Sequence, residues 1–118
     1  MAWDSKTQIA TSLSVLGTEL FSSAVTLTPG ESVVIQVDGD TNGTTDDLIV
    51  SVYNTLDDTS EAWDDTPVSK FAIDKDTDPH SVSITLTGLY RFRLGFVRDG
   101  STDTWTTNAW YRGDGVSL

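Results

Sequence analysis

The strongest constraint on this chain is its rhythm. From residue 20 onward, short runs of β-branched and aromatic residues alternate with clusters of Gly, Asp, Asn, Thr and Pro, and no helical period appears. The runs predict seven strands, over residues 20–27, 32–38, 48–54, 67–73, 80–86, 89–98 and 103–111. Strands this short with turn signals between them fit a sandwich or a barrel. The count and the long connections favour an all-β, antiparallel β-sandwich of about seven strands, Ig-like or jelly-roll-like.

The run 89–98 has the clearest alternation. Tyr90, Phe92, Leu94 and Phe96 share one face, with Arg91, Arg93 and Val97 on the other. A four-residue hairpin loop at 99–102 would pair Arg98 with Asp103. Phe96 would then face Trp105, Leu94 face Thr107, Phe92 face Ala109, and Tyr90 face Tyr111. That register also places Arg91 opposite Trp110, both pointing outward.

The first 18 residues behave differently. Ile9, Leu13 and Leu16 have helical spacing, whereas Ile9, Thr11, Leu13 and Val15 alternate as a strand. The segment is expected to be an arm (1–18) that orders against the domain (19–118) or against a neighbour.

At 118 residues the chain fits one domain with a real core. It has no cysteine, which excludes a disulfide framework, thiol catalysis and thiolate zinc sites. The opening residues lack a basic, then apolar, signal pattern, and no run approaches a membrane span. The chain is therefore expected to be made in a cytoplasm, soluble and without a membrane partner. Its 18 acids against 7 basic residues give a net charge of −11, which argues against nucleic acid. Residues 38–78 hold 12 acids and two lysines; residues 88–118 hold four arginines and three acids. Only the C-terminal region offers positive charge.

Asp38-Gly39-Asp40-Thr41-Asn42-Gly43 matches the first half of a calcium loop, and Asp46 falls on its ninth position. Asp38, Asp40, Asn42 and Asp46 are thus the candidate metal ligands. Ile49 stands where a bidentate Glu should close the site, and strands replace the flanking helices. A solvated turn is the favoured reading, because turns prefer these same residues. The expected cofactor is none, with calcium the minor alternative.

Catalysis finds little support. The acids lie in Gly/Thr loops, no Gly-x-Ser-x-Gly elbow occurs, and the single histidine, His80, follows Pro79 at a strand start. The aromatic residues say more. Arg91, Arg93 and Trp110 have the composition of an interface centre, or else of a cation–aromatic stack on a solvated sheet. Trp63 sits in the longest loop among Asp57, Asp58, Glu61, Asp64 and Asp65. There it is a partner anchor, a sugar platform, or a lid folded over the sandwich edge.

Leu27-Thr28-Pro29-Gly30-Glu31-Ser32 with Val33–Val37 resembles the opening hairpin of immunoglobulin-like sandwiches, and Gly88-Leu89-Tyr90-Arg91-Phe92-Arg93 is similar to their late Gly-x-Tyr-x-Phe strand. The chain over roughly 17–118 also resembles small virion proteins of tailed bacteriophages that decorate or cement the head. That resemblance rests on Asp46–Tyr53, on Trp63-Asp64-Asp65-Thr66-Pro67, and on Ser101–Thr104 through Tyr111–Leu118. It implies a non-enzymatic virion protein, often trimeric, that binds the major capsid protein and itself. The contacts expected are Trp3 with the arm, Trp110 with Arg91 and Arg93, and Trp63. A tail, neck or host-attachment component has the same composition. A carbohydrate-binding module would use Trp63 or Trp110 as its stacking platform.

Overall fold

A computed structural model of the protein describes residues 6–28, 31–56, 63, 66–76 and 80–113. Its strands are β1 (Thr7–Val15), β2 (Leu20–Phe21), β3 (Val25–Thr26), β4 (Val33–Thr41), β5 (Leu48–Thr55), β6 (Ser69–Ile73), β7 (Ser81–Leu86), β8 (Arg91–Arg98) and β9 (Trp105–Gly113). Among the described residues there is no helix, and so none long and apolar enough to cross a membrane. Two antiparallel sheets form the sandwich. One has the order β1-β9-β4-β7, the other β2-β8-β5-β6, and β3 continues the edge beside β8.

The pairing follows one rule. β1 pairs β9, β2 and β3 pair β8, β4 pairs β7, and β5 pairs β6. The chain is doubled back on itself from both ends and then rolled so that alternate pairs fall in opposite sheets. That is a jelly roll with one strand broken in two. The immunoglobulin-like alternative is excluded, because β8 and β9 would then be neighbours in one sheet. The segment 27–32 is likewise no hairpin: β3 and β4 lie in different sheets. Glu31 instead ties the crossover, its N–H donating to the Thr28 carbonyl (3.0 Å) and its carboxylate accepting from the Thr28 N–H (3.1 Å).

Nine strands replace the seven expected. The run 20–27 breaks at Ser22, whose Oγ accepts the Leu94 N–H (2.9 Å) in place of a backbone carbonyl. Residues 7–15 of the expected arm are β1, with Ile9, Ala10 and Val15 in the core. The strand alternation holds at Ile9, Leu13 and Val15, which face the core, and fails at Thr11, because two irregularities in the pairing with β9, between Gln8 and Ala10 and between Ala10 and Leu13, put Ala10 inward and leave Thr11 exposed. Ser12, at φ 46°, sits in the second.

The core fills from both inner faces. Val33, Ile35, Val37, Trp105 and Ala109 come from one sheet, and Leu48, Val50, Val52, Phe92, Leu94 and Phe96 from the other. Phe92 meets Tyr111 edge-on across the layer, with centroids 6.0 Å apart. Gly39 on β4 makes room for the largest of these side chains, since a Cβ there would stand 2.7 Å from the Trp105 indole. Thr107 is fully buried among them, and its Oγ1 has no hydrogen-bond partner among the described residues. An unpaired buried hydroxyl costs about 1–3 kcal/mol. Thr107→Val is therefore expected to stabilise the protein by about 1 kcal/mol in urea or thermal unfolding, and a lower midpoint would show that the hydroxyl is satisfied in solution.

Candidate functional site

Three places hold the chemically distinctive side chains: the loops joining the sheets at one end, and the two outer faces.

At the end, loops 42–47 and 99–104 grip each other by a reciprocal exchange. The Asp103 carboxylate accepts the N–H groups of Thr45 (2.7 Å) and Asp46 (2.9 Å). The Asp46 carboxylate accepts those of Thr102 (2.7 Å) and Asp103 (2.8 Å). Asn42 Oδ1 accepts the Thr104 N–H (3.0 Å), and Asp99 Oδ1 accepts the Asp47 N–H (2.8 Å). Each loop also supplies a glycine under the other's carboxylate. A Cβ at Gly43 would collide with Asp103, and one at Gly100 with Asp46. Arg98 closes the back, giving Nη1–H to the Asp103 carbonyl (2.7 Å) while its Nε lies 4.0 Å from Asp46.

This clasp accounts for the apparent calcium loop. Asp46 is 3% exposed and already satisfied by backbone donors. Asp38 lies on β4, accepting from Ser81 Oγ (2.5 Å) and Gln36 Nε2 (3.2 Å). Asp40 is exposed, and Asn42 is engaged with Thr104. The four expected ligands are therefore not brought to one point. Among the described residues no three His, Cys, Asp or Glu side chains are gathered to hold a metal ion. Sequence reasoning missed the clasp, although a signal was present: Asn42-Gly43-Thr44-Thr45-Asp46 and Asp99-Gly100-Ser101-Thr102-Asp103 are the same pattern twice.

On the outer face of the β8 sheet, Arg93 lies over the Phe21 ring, its guanidinium carbon 3.8 Å from the centroid. Trp63 covers both arginines, with Arg93 at 4.7 Å and Arg91 at 5.2 Å from its centroid. The half-buried Trp63 is thus folded back onto the sheet. Beside it, Tyr53 donates to Glu19 (2.9 Å) and meets Phe21 edge-on. Burial first, then the hydrogen bond and charge of Glu19, push the Tyr53 hydroxyl above its ordinary value, so it remains a donor. Phe21, 40% exposed, leaves apolar surface open at the rim.

The other outer face carries Trp110, so the expected trio of Arg91, Arg93 and Trp110 is split between opposite sides of the sandwich. The reason is the 99–104 connection. It crosses between sheets and is not a hairpin, so β8 and β9 lie in different sheets and their outer faces point to opposite sides. Trp110 lies opposite Gln36 of β4 and Gln8 of β1. Lys6 Nζ stands 4.4 Å from its ring centroid. Lys6, Val34, Gln36, Trp110, Tyr111 and Arg112 line an open cleft of about 420 Å³. Lys6 and Arg112 make no ion pair among the described residues, so two like charges share one cleft on an acidic chain. Trp3 lies outside the described residues. His80 is half-buried, donating Nε2–H to the Lys75 carbonyl (2.8 Å) and packing edge-on against Trp105.

No family model matches the chain, and no curated protein matches its sequence.

The Asp46 carboxyl is held below the ordinary value of 3.8, chiefly by the Asp103 N–H. Burial opposes this shift, and the Thr102 N–H and the charges of Arg98 and Lys75 assist it. A depressed folded-state value means that the clasp adds stability above the unfolded value of about 3.9, which is lost as pH falls through the lower, folded one. Urea unfolding between about pH 5 and pH 2 should show this loss. Asp46→Asn should be less stable near neutrality and lose less across that window, whereas parallel pH profiles would exclude Asp46 as the source.

Proposed function

We propose that this protein is a non-enzymatic virion structural protein. It binds assembled capsid protein and stabilises the head of a tailed bacteriophage, and it also associates with itself. One observation supports this most directly: the two cation–aromatic patches lie on opposite broad faces of a thin sandwich. Tryptophan and arginine dominate the energetic centres of protein interfaces. A body with such a centre on each side can touch two neighbours at once, which is what bridging a lattice requires. Bivalent contact also multiplies weak affinities when the geometry permits both. A subunit that binds only the assembled shell stabilises it by its own binding free energy. The jelly roll is compatible with this role and does not assign it.

The test is co-sedimentation with empty phage heads at physiological salt. The wild-type protein is expected to pellet with the heads and raise their melting temperature. Trp110→Ala and Arg91→Ala/Arg93→Ala should each weaken both effects, because either change blunts one face. Absence of pelleting at every concentration overturns the reading. Binding to purified tails, with none to heads, would move the protein to a tail or neck position.

The cleft beside Trp110 favours one second reading, a carbohydrate-binding module. An indole stacks on sugar C–H faces, the Gln36 amide oxygen can accept from a hydroxyl, and Lys6 with Arg112 would favour a carboxylated sugar. On a glycan array the wild type should then bind acidic glycans and Trp110→Ala should not; equal signals from the two proteins would dismiss this reading.

A further inference from the structure

A sandwich has four sheet edges, and unpaired edges invite pairing with other chains unless they are blunted. Three of the four here are blunted by different means. β1 carries two irregularities and is tied to the opposite sheet by the Ser23 N–H donating to the Ile9 carbonyl (2.9 Å). The edge beside β8 is broken between β2 and β3. β6 is five residues long and carries the exposed Lys70. Among the described residues β7 has none of these protections. It runs regularly from Ser81 to Leu86 against β4, with no shift of register. Residues 81–90 contain no charged side chain and no proline, in a chain of net charge −11.

The hydrogen-bond parity of β7 can be read from its neighbour. The Gly39 N–H donates to the His80 carbonyl (2.8 Å), so Gly39 and His80 form a hydrogen-bonded pair. Antiparallel pairs alternate, so Val82, Ile84 and Leu86 also direct their backbone groups toward β4. Ser81, Ser83 and Thr85 direct theirs outward, and all three residues are exposed. Val82, Ile84 and Leu86 pack against the core yet remain only partly buried, whereas their partners Val37, Ile35 and Val33 are fully buried. The open edge therefore leaves both backbone groups and apolar flanks uncovered.

We propose that β7 is the self-association edge of this protein, pairing antiparallel with β7 of a second copy about a two-fold axis through Ser83. The edge is self-complementary in that register. Ser83 meets Ser83 of the partner subunit, and Ser81 meets Thr85 of the partner subunit. All are outward-facing, hydrogen-bonding positions. Between them Val82 lies against Ile84 of the partner subunit, which covers the apolar flanks. β7 itself carries no charge, and the carboxylate beside it, Asp38, accepts from Ser81 Oγ and Gln36 Nε2 and lies at one end of the edge, so in this register two acidic bodies meet without setting like charges opposite each other. The pair would join two four-stranded sheets into one, an isologous contact that closes at two copies. This gives the self-association of the proposed function a surface, and it stands without the capsid reading.

Sedimentation velocity on the full chain, without capsids, tests the pairing. The wild type is expected to show a reversible monomer–dimer equilibrium. Ser83→Lys, which sets two ammonium groups against each other on the axis, should abolish the dimer. Ser83→Pro, which removes an outward N–H but no hydrogen bond to β4, should do the same. Amide exchange at Ser81, Ser83 and Thr85 should slow as the wild-type concentration rises, and exchange at β6 should not. A monomer at every concentration overturns the proposal, as does an oligomer that both variants leave intact. Each variant's far-ultraviolet circular dichroism checks that it folds, and the exchange measurement on the wild type decides the matter if neither does.

Discussion

Two aspartates exchanging backbone hydrogen bonds determine how this chain is routed. Asp46 and Asp103 each accept two N–H groups from the other's loop, and this locks the β4–β5 crossover to the β8–β9 crossover. Both loops must pass from one sheet to the other, where their backbone donors leave the ladders and those of Asp46 and Asp103 are buried. A carboxylate satisfies two such donors with charge-assisted bonds. The indole N–H of Trp105 adds a further bond to the Asp46 carbonyl, 3.0 Å away. The largest core side chain is thereby registered to the clasp. Strands β5 and β9 start at this point and carry their inner faces into the core from opposite sides.

Much of the fold was legible because alternation survives the choice of partner strand. Phe92, Leu94 and Phe96 were assigned to the interior with Trp105, Thr107 and Ala109, and all six are buried. What alternation does not encode is whether two inward faces meet as neighbours in one sheet or across the core between two. A Gly-containing four-residue connection suits a hairpin, so the 99–102 loop looked like one. Its crossing depends on Asp46, more than fifty positions away in sequence. β1 was obscured for the opposite reason: its apolar residues fit a helical and a strand spacing equally well, and pairing with β9 selects the strand.

The candidate site divides in the same way. Trp63, Arg91, Arg93 and Trp110 all take part in cation–aromatic contacts, but with other partners than the sequence suggested. Their grouping was wrong because it inherited the hairpin. Lys6, which completes one patch, came from the weakly patterned N-terminal segment, and Phe21, which completes the other, from a strand run that nothing in the sequence tied to Arg93. The acidic loop shows how a real constraint can mimic another. Gly43 and Asp46 are fixed by the needs of the clasp, and those needs overlap with the composition of a calcium loop.

The jelly-roll pairing has a temporal side. Thr7 lies opposite Tyr111, so the sheet containing β1 cannot close until nearly all the described chain is present. Folds dominated by such distant contacts form slowly. β4 and β7 are complete long before β9 can fill the place between β1 and β4. During that interval β4 has an open side of its own, and the uncharged edge of β7 is exposed as well. The acidic loops that flank these strands thus have a second consequence: their mutual repulsion keeps half-made chains apart while their edges remain exposed.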